Sequence, residues 1–161
     1  TGADPLFQKN RIHDEPEIGV LVDTNGKGTF DQNEIFANYD HGVQVTSGAT
    51  PSFRKNRIYN SAGTGFFVTA EGCADGEETK GVLENNEIFA NNMAGVRIVN
   101  NADPQLNGNR IYRNTKAGIF VTADGRGNLV GNEIFGNVLA GLEISFGGNP
   151  VGTRNTIRDG A

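Results

Sequence analysis

The tripeptide Asn-x-Ile recurs along the whole chain at an almost constant spacing. Seven copies occur in 161 residues, and successive asparagines lie 23 residues apart except for a single interval of 30. A repeat of this length is typical of a solenoid, in which each copy forms one coil that stacks on the next. The repeated asparagines are Asn10, Asn33, Asn56, Asn86, Asn109, Asn132 and Asn155.

Each copy has room for three short strands. A glycine nine residues after the asparagine opens a run such as Val43-Gln44-Val45, whose first and third residues are apolar. The isoleucine of the tripeptide and a large apolar residue three positions before the asparagine supply two further buried positions. Alternation with a period of two indicates a strand with one buried face, and no window has a sustained helical period.

These features predict an all-β chain that forms a right-handed parallel β-helix, the hand following the general rule for parallel crossovers. The prediction is about seven coils of 23 residues, three short strands per coil, and one seven-residue insertion near 70–81. The recurring asparagine is predicted to take a left-handed turn conformation and to hydrogen-bond the asparagines above and below it.

The residue after the asparagine alternates in charge, so the full repeat is two coils. Strands in a sheet are spaced by about 4.8 Å, and like charges at that spacing would repel along the whole solenoid. Alternating charges instead predict a ladder of cross-strand ion pairs. The alternating residues are Arg11, Glu34, Arg57, Glu87, Arg110 and Glu133.

Two rows of outward positions are candidate binding surfaces. The middle positions of the third strand include Phe67, Arg97 and Phe120, and large aromatic residues on a solvated face indicate a partner surface. The second row follows the isoleucines, and its aromatic rings either bind a ligand or are covered by the residues that follow them. This row, the aromatic stripe, consists of His13, Phe36, Tyr59, Phe89, Tyr112 and Phe135.

Composition excludes several classes of function. The formal net charge of −5 argues against nucleic-acid binding, and no apolar run approaches the roughly 18 residues that a membrane span needs. Cys73 is the only cysteine, and the acidic residues of the insertion lack the pattern of a calcium loop, so no metal and no cofactor are predicted. Asp40 and His41 are adjacent and are expected to face opposite ways, so no catalytic residue is predicted.

The ends of the chain and its asparagines carry two further expectations. The sequence opens in mid-coil and stops soon after Ile157 without a helix or a polar cap. Because solenoids need caps, residues 1–161 are predicted to be a single β-helix domain cut from a longer solenoid, or to pair end to end with another copy. None of the 20 asparagines lies in an Asn-x-Ser/Thr sequon, which favours an intracellular location over eukaryotic secretion.

The paired pattern resembles β-helix repeats of the CASH type, and it is most similar to the β-helix region of F-box ubiquitin-ligase substrate receptors. The closest stretches are residues 54–59, 86–89 and 93–96. The resemblance implies a non-enzymatic substrate-recognition surface. Microbial proteins with such repeats include polysaccharide lyases and epimerases, but this chain lacks the Asp-Pro-His motif of the alginate epimerases.

Two hypotheses of function follow, beside a purely structural spacer. The first is a non-catalytic recognition scaffold that binds a protein partner through Phe67, Arg97 and Phe120, flanked by the 70–81 loop. The alternative is carbohydrate binding or polysaccharide processing. In that case sugars would stack on Tyr59, Phe89 and Tyr112, and uronate carboxylates would meet Arg57 and Arg110.

Overall fold

The computed structural model describes residues 4–74 and 77–160, which wind into a parallel β-solenoid of about seven coils. Each full coil contributes one short strand to each of three parallel sheets, as the sequence predicts. The first sheet contains β1 (Leu6–Gln8), β4 (Thr29–Asp31), β7 (Ser52–Arg54), β10 (Val82–Glu84), β13 (Gln105–Asn107), β16 (Asn128–Val130) and β19 (Val151–Thr153).

The other two sheets have the same coil-on-coil order. The second sheet contains β2 (Arg11–His13), β5 (Glu34–Phe36), β8 (Arg57–Tyr59), β11 (Glu87–Phe89), β14 (Arg110–Tyr112), β17 (Glu133–Phe135) and β20 (Thr156–Arg158). The third sheet contains β3 (Val20–Val22), β6 (Val43–Val45), β9 (Phe66–Thr69), β12 (Val96–Val99), β15 (Ile119–Val121) and β18 (Leu142–Ile144). No helix long and apolar enough to cross a membrane is found in these two described ranges.

The core consists of columns in which equivalent residues of successive coils stack in register. In the second sheet, Ile35 pairs with Ile58 and Ile58 with Ile88, and all three are fully buried. In the first sheet, the rings of Phe30 and Phe53 stack with their centroids 4.3 Å apart. Each fully buried aliphatic or aromatic side chain contributes about 1.5–3 kcal/mol, so the columns supply the main stabilisation.

A continuous ladder of asparagine side chains runs through the interior, as predicted. The Nδ2 of Asn56 donates to Oδ1 of Asn86 over 3.0 Å and to the backbone oxygen of Phe30 over 2.9 Å. The backbone N–H of Asn56 also donates to Oδ1 of Asn86, over 2.9 Å. The same links join Asn86 to Asn109, so each buried amide is fully used. We call this column the asparagine ladder.

The predicted left-handed conformation of these asparagines is wrong. The positive φ angle belongs to the residue before each asparagine, for example 54° at Lys55 and 54° at Asn85. The backbone N–H and the side chain of the asparagine both point along the same column. The preceding residue therefore makes the turn.

A second asparagine ladder, which the sequence analysis did not identify, lies five residues further along each coil. The Nδ2 of Asn91 donates to Oδ1 of Asn114, and the Nδ2 of Asn114 donates to Oδ1 of Asn137, both over 3.0 Å. Ser61 occupies the equivalent position between Asn38 and Asn91. Its hydroxyl and the Nδ2 of Asn38 are both buried without a hydrogen-bond partner among the described residues.

The charge ladder predicted from the alternating residues is present on the outer face of the second sheet. Arg57 pairs with Glu34 over 2.8 Å and with Glu87 over 3.5 Å. Arg110 pairs with Glu87 over 2.8 Å and with Glu133 over 3.2 Å. Each inner cation therefore lies between two carboxylates from the coils on either side.

The insertion leaves the solenoid between β9 and β10 and folds back on the turns of earlier coils. The backbone N–H of Gly48 donates to Oγ1 of Thr79 over 2.9 Å, and the Nδ2 of Asn25 donates to Oε1 of Glu77 over 3.2 Å. Cys73 is half-buried beside Thr79. Asp75, one of the acidic residues of the insertion, lies outside the described residues.

The first and last coils expose apolar side chains, including Leu6, Phe7, Val151 and Ile157. The end-to-end self-association expected from the sequence stays a prediction.

The variant Ser61→Asn is expected to complete the second asparagine ladder and to raise the free energy of unfolding by about 1–2 kcal/mol. The new amide would accept from Asn38 and donate to Asn91. There is room for the larger side chain, because Gly42 packs over Ser61 in the same way that Gly65 packs over Asn91. Urea denaturation followed by circular dichroism measures the change.

Ser61→Ala is the control for this prediction, because it removes the unpaired hydroxyl without adding an amide. If Ser61→Asn is no more stable than Ser61→Ala, the ladder does not stabilise this coil.

The variant Arg57→Glu is expected to lower the free energy of unfolding by about 1–3 kcal/mol, because two attractive cross-strand pairs become repulsive. The loss should shrink as NaCl is raised, since exposed charges are screened. Urea midpoints at low and high salt measure both effects. A loss that does not depend on salt would show that packing of the arginine stem, rather than its charge, is what matters.

Candidate functional site

The two candidate surfaces lie on different sheets of the solenoid. The aromatic stripe shares the outer face of the second sheet with the charge ladder, because each strand such as Glu34–Phe36 buries only its middle residue. Phe67, Arg97 and Phe120 are neighbours in register on the outer face of the third sheet.

The rings of the aromatic stripe stack face to face on one another. The centroids of Tyr59 and Phe89 are 4.9 Å apart with an interplanar angle of 8°, and those of Phe89 and Tyr112 are 5.0 Å apart at 4°. Phe36 and Phe135 continue the stack on either side. Stacking on a sugar needs an open ring face, and here both faces of each inner ring are already in contact. This geometry favours a structural role for the stripe.

The arginines of the charge ladder are also fully engaged. The guanidinium of Arg57 lies 5.2 Å from the ring centre of Tyr59 and 5.4 Å from that of Phe89, between its two glutamate partners. A hydrogen bond to Glu133 raises the pKa of Arg110. A uronate carboxylate at either arginine would have to compete with two glutamates that are already in place.

Arg97 has a different environment from the ladder arginines. Its guanidinium carbon lies 5.5 Å from the ring centre of Phe67 and 5.7 Å from that of Phe120, within range of cation–π attraction. Its Nε is buried without a hydrogen-bond partner, and no carboxylate in residues 4–74 or 77–160 pairs with it. Arg97 is therefore a cation held in place by two rings, without an acidic partner in the part of the chain that the structure describes.

Arg97 opens onto a cavity of about 270 Å³ at the corner between the second and third sheets. The outer row of the third sheet forms one wall, with Arg97, Phe120 and Glu143. The turn before that sheet forms the opposite wall, with Met93, Lys116 and Leu139. Buried small residues line the base, namely Thr64, Ala94 and Ala117. We call this cavity, with these nine residues, the groove.

The groove runs parallel to the solenoid axis because its walls are rows of equivalent residues. Arg97 pairs with Phe120 and Phe120 with Glu143 in the third sheet. On the opposite wall the backbone N–H of Lys116 donates to the oxygen of Met93, and that of Leu139 donates to the oxygen of Lys116. This second wall was not predicted from the sequence, although its residues lie seven positions after the repeated asparagines.

Asp40 and His41 lie two coils before Arg97, and their side chains meet, contrary to the expectation from sequence. Oδ1 of Asp40 is 3.0 Å from Nδ1 of His41, because both residues lie in the turn before β6 and strand alternation does not apply. Gly63 lies against both of these atoms, and a Cβ at this position would come within 2.6 Å of each. Only a glycine therefore permits the contact between Asp40 and His41.

The surroundings of His41 lower the pKa of its imidazole. Burial lowers the pKa of its imidazole, nearby Arg97 lowers it further, and Asp40 opposes both effects. Nδ1 lies within hydrogen-bond distance of two groups, the backbone N–H of Thr64 at 3.1 Å and Oδ1 of Asp40 at 3.0 Å. The ring meets Phe67 edge-on at 4.8 Å, which places His41 beside the row that contains Arg97.

No curated protein matches this sequence, whereas solved structures share the fold. The periplasmic alginate epimerase AlgG superposes with a TM-score of 0.82 at 16% identity over 94% of this chain and 39% of its own. The A-module of the Azotobacter vinelandii mannuronan C-5 epimerase AlgE4 gives 0.74 at 17% identity over 86% of this chain and 38% of its own. Identities this low show the fold alone, and the chain spans well under half of either neighbour.

Neither of these neighbours is an F-box receptor, so the resemblance to CASH-type and F-box repeats stays a prediction. The family model described as "Right handed beta helix region" matches residues 1–79 and 73–161. The two matches together span the whole chain, and they agree with the parallel three-sheet solenoid. The chain therefore belongs to the right-handed β-helix family.

Proposed function

We propose that this protein binds a polysaccharide in the groove and that Arg97 anchors the carboxylate of an acidic sugar. The observation that carries the proposal is the guanidinium of Arg97, fixed between Phe67 and Phe120 and without a carboxylate partner among the described residues. Arg97 is half-buried with its Nε unpaired, and an anionic ligand would supply the partner that its guanidinium lacks among the described residues.

The groove offers the mixture of contacts that a sugar needs. A guanidinium binds a carboxylate through two parallel hydrogen bonds, and Lys116 adds a second cation on the opposite wall. Phe120 and Met93 supply apolar surface for the ring carbons. Because both walls are rows that continue along the solenoid, an extended chain fits the groove better than a compact ligand.

The structural neighbours support the polysaccharide class. The two neighbours are named as an alginate epimerase and a mannuronan C-5 epimerase. Alginate is therefore the first probe for this chain.

The hypothesis of a protein partner uses the same surface and stays a prediction. Met93 and Leu139 are 43% and 48% exposed beside Arg97, which gives the groove an apolar rim. The comparisons do not support a protein partner, and the polysaccharide proposal is the one to test first.

The test compares Arg97→Gln with Arg57→Gln by isothermal titration of alginate oligosaccharides, with dextran as a neutral reference. Each variant removes one charge from an arginine between two aromatic rings, so the chemical change is matched. Arg97→Gln is expected to weaken alginate binding about 10- to 100-fold, because a charge-assisted hydrogen bond contributes about 1.5–3 kcal/mol. Arg57→Gln is expected to keep the alginate affinity within about twofold of that of the unmodified chain, because Arg57 is already paired with Glu34 and Glu87.

Two outcomes would contradict the proposal. One is an equal loss of alginate affinity in both variants, which would show that binding depends on the overall charge of the protein rather than on the groove. The other is no binding of alginate or dextran by the unmodified chain.

A further inference from the structure

His41 continues the row of residues that forms the base of the groove. The base residues Thr64, Ala94 and Ala117 occupy equivalent positions in successive coils, eight residues after the repeated asparagine, and His41 holds the same position one coil earlier. Backbone hydrogen bonds join the row, since the N–H of Gly42 donates to the oxygen of Thr64. The imidazole of His41 therefore lies next to the end of the groove, and its side chain is only 17% exposed.

The imidazole has two competing partners at one nitrogen. Oδ1 of Asp40 is 3.0 Å from Nδ1, and the backbone nitrogen of Thr64 is 3.1 Å from the same atom. A neutral ring with its proton on Nε2 accepts from Thr64, whereas a protonated ring donates from Nδ1 to Asp40. The nitrogen cannot do both at once. A carboxylate is thus already in place to stabilise the protonated ring.

Arg97 acts on the same imidazole from the third sheet. The ring of His41 meets Phe67 edge-on at 4.8 Å, and the guanidinium carbon of Arg97 lies 5.5 Å from the centre of the Phe67 ring. Burial lowers the pKa of the imidazole, Asp40 raises it and Arg97 lowers it. Thr64 and Phe67, which contact the ring, carry no charge. The positive charge of Arg97 therefore opposes a positive charge on His41.

We infer that His41 takes up a proton from solvent when an acidic sugar binds at Arg97, so that the groove binds acidic polysaccharides more tightly in mildly acidic than in neutral solution. This inference rests on the proposed binding of a carboxylate by Arg97. A bound carboxylate neutralises the guanidinium and removes the charge that opposes protonation of His41. Because ligand and proton then favour each other, a lower pH strengthens binding by the same factor by which the ligand favours the proton.

The first experiment follows the two imidazoles of the chain by NMR as the pH is changed, without ligand, with saturating alginate oligosaccharides and with dextran. Alginate is expected to raise the pKa of His41, whereas dextran has no charge and should leave it unchanged. His13 is an internal control, because it lies on the second sheet, away from the groove. Alginate should not move the midpoint of its titration. If alginate leaves the pKa of His41 unchanged or lowers it, the inference is overturned.

The second experiment measures alginate affinity by isothermal titration in mildly acidic and in neutral buffer, where the carboxylates of the ligand are ionised. The unmodified chain is expected to bind about two- to fivefold more tightly in the acidic buffer. His41→Asn is expected to lose most of this difference, because an amide oxygen still accepts from Thr64 but gains no proton. His13→Asn is the matched control and is expected to keep the difference. Equal behaviour of the two variants would contradict the inference.

A third measurement needs no ligand. Arg97→Gln is expected to raise the pKa of His41 in the free protein, because the opposing cation is gone. Arg57→Gln removes the same charge on the second sheet and is expected to leave the pKa of His41 unchanged. If the two variants have the same effect on His41, Arg97 and His41 are not coupled and the inference fails.

The outcomes separate this inference from the proposed function. If alginate binds and Arg97→Gln weakens its binding, but the ligand does not raise the pKa of His41, the coupling is overturned and the groove remains the binding site. If alginate binds at neither pH, or if Arg97→Gln does not change its affinity, the proposed function fails and the inference fails with it.

Discussion

The buried asparagine ladder is the interaction on which the rest of this solenoid depends. Each inner amide accepts from the coil before it and donates to the coil after it, and a second donor hydrogen ties it to the backbone of the preceding coil. An amide displaced by one residue would lose all of these bonds inside an apolar interior, where an unmade hydrogen bond is costly. The ladder therefore fixes the register of the coils. Once the register is fixed, every other row of equivalent residues must lie in line along the axis.

Because equivalent residues are aligned along the axis, arginines on the second and third sheets have different roles. On the second sheet the row beside the ladder alternates in sign, so Arg57 lies between two glutamates and contributes to stability. On the third sheet Arg97 has phenylalanines on both sides in its row. The rings hold its position without neutralising its charge. An arginine whose neighbours in the row are carboxylates has a structural role. An arginine whose neighbours leave its charge unpaired remains available to a ligand. This difference directs the functional proposal to the third sheet and away from the aromatic stripe.

The fold is predictable from the sequence because neighbours in a solenoid are residues one repeat apart. The repeat spacing by itself therefore identifies the contacts of Asn56, Ile58 and Arg57 with their equivalents in the adjacent coils. The second asparagine ladder is equally accessible at five residues after the first, but the substitution of Ser61 interrupts it and hides the pattern. The prediction puts the left-handed residue one position too late. The sequence identifies the turn but does not show which of two adjacent residues bends the backbone.

The sequence by itself determined the coil length, the three strands per coil, the buried columns and the charge ladder, because all of these repeat with one period. Only the tertiary structure decided which outer surface borders a groove. The groove joins a strand row, with Arg97 and Glu143, to a turn row, with Lys116, across a corner of the coil. Turn residues follow no alternation rule, so their direction depends on backbone angles set by packing. The contact between Asp40 and His41 arose in the same way, where the turn brings together two side chains that a strand would have separated.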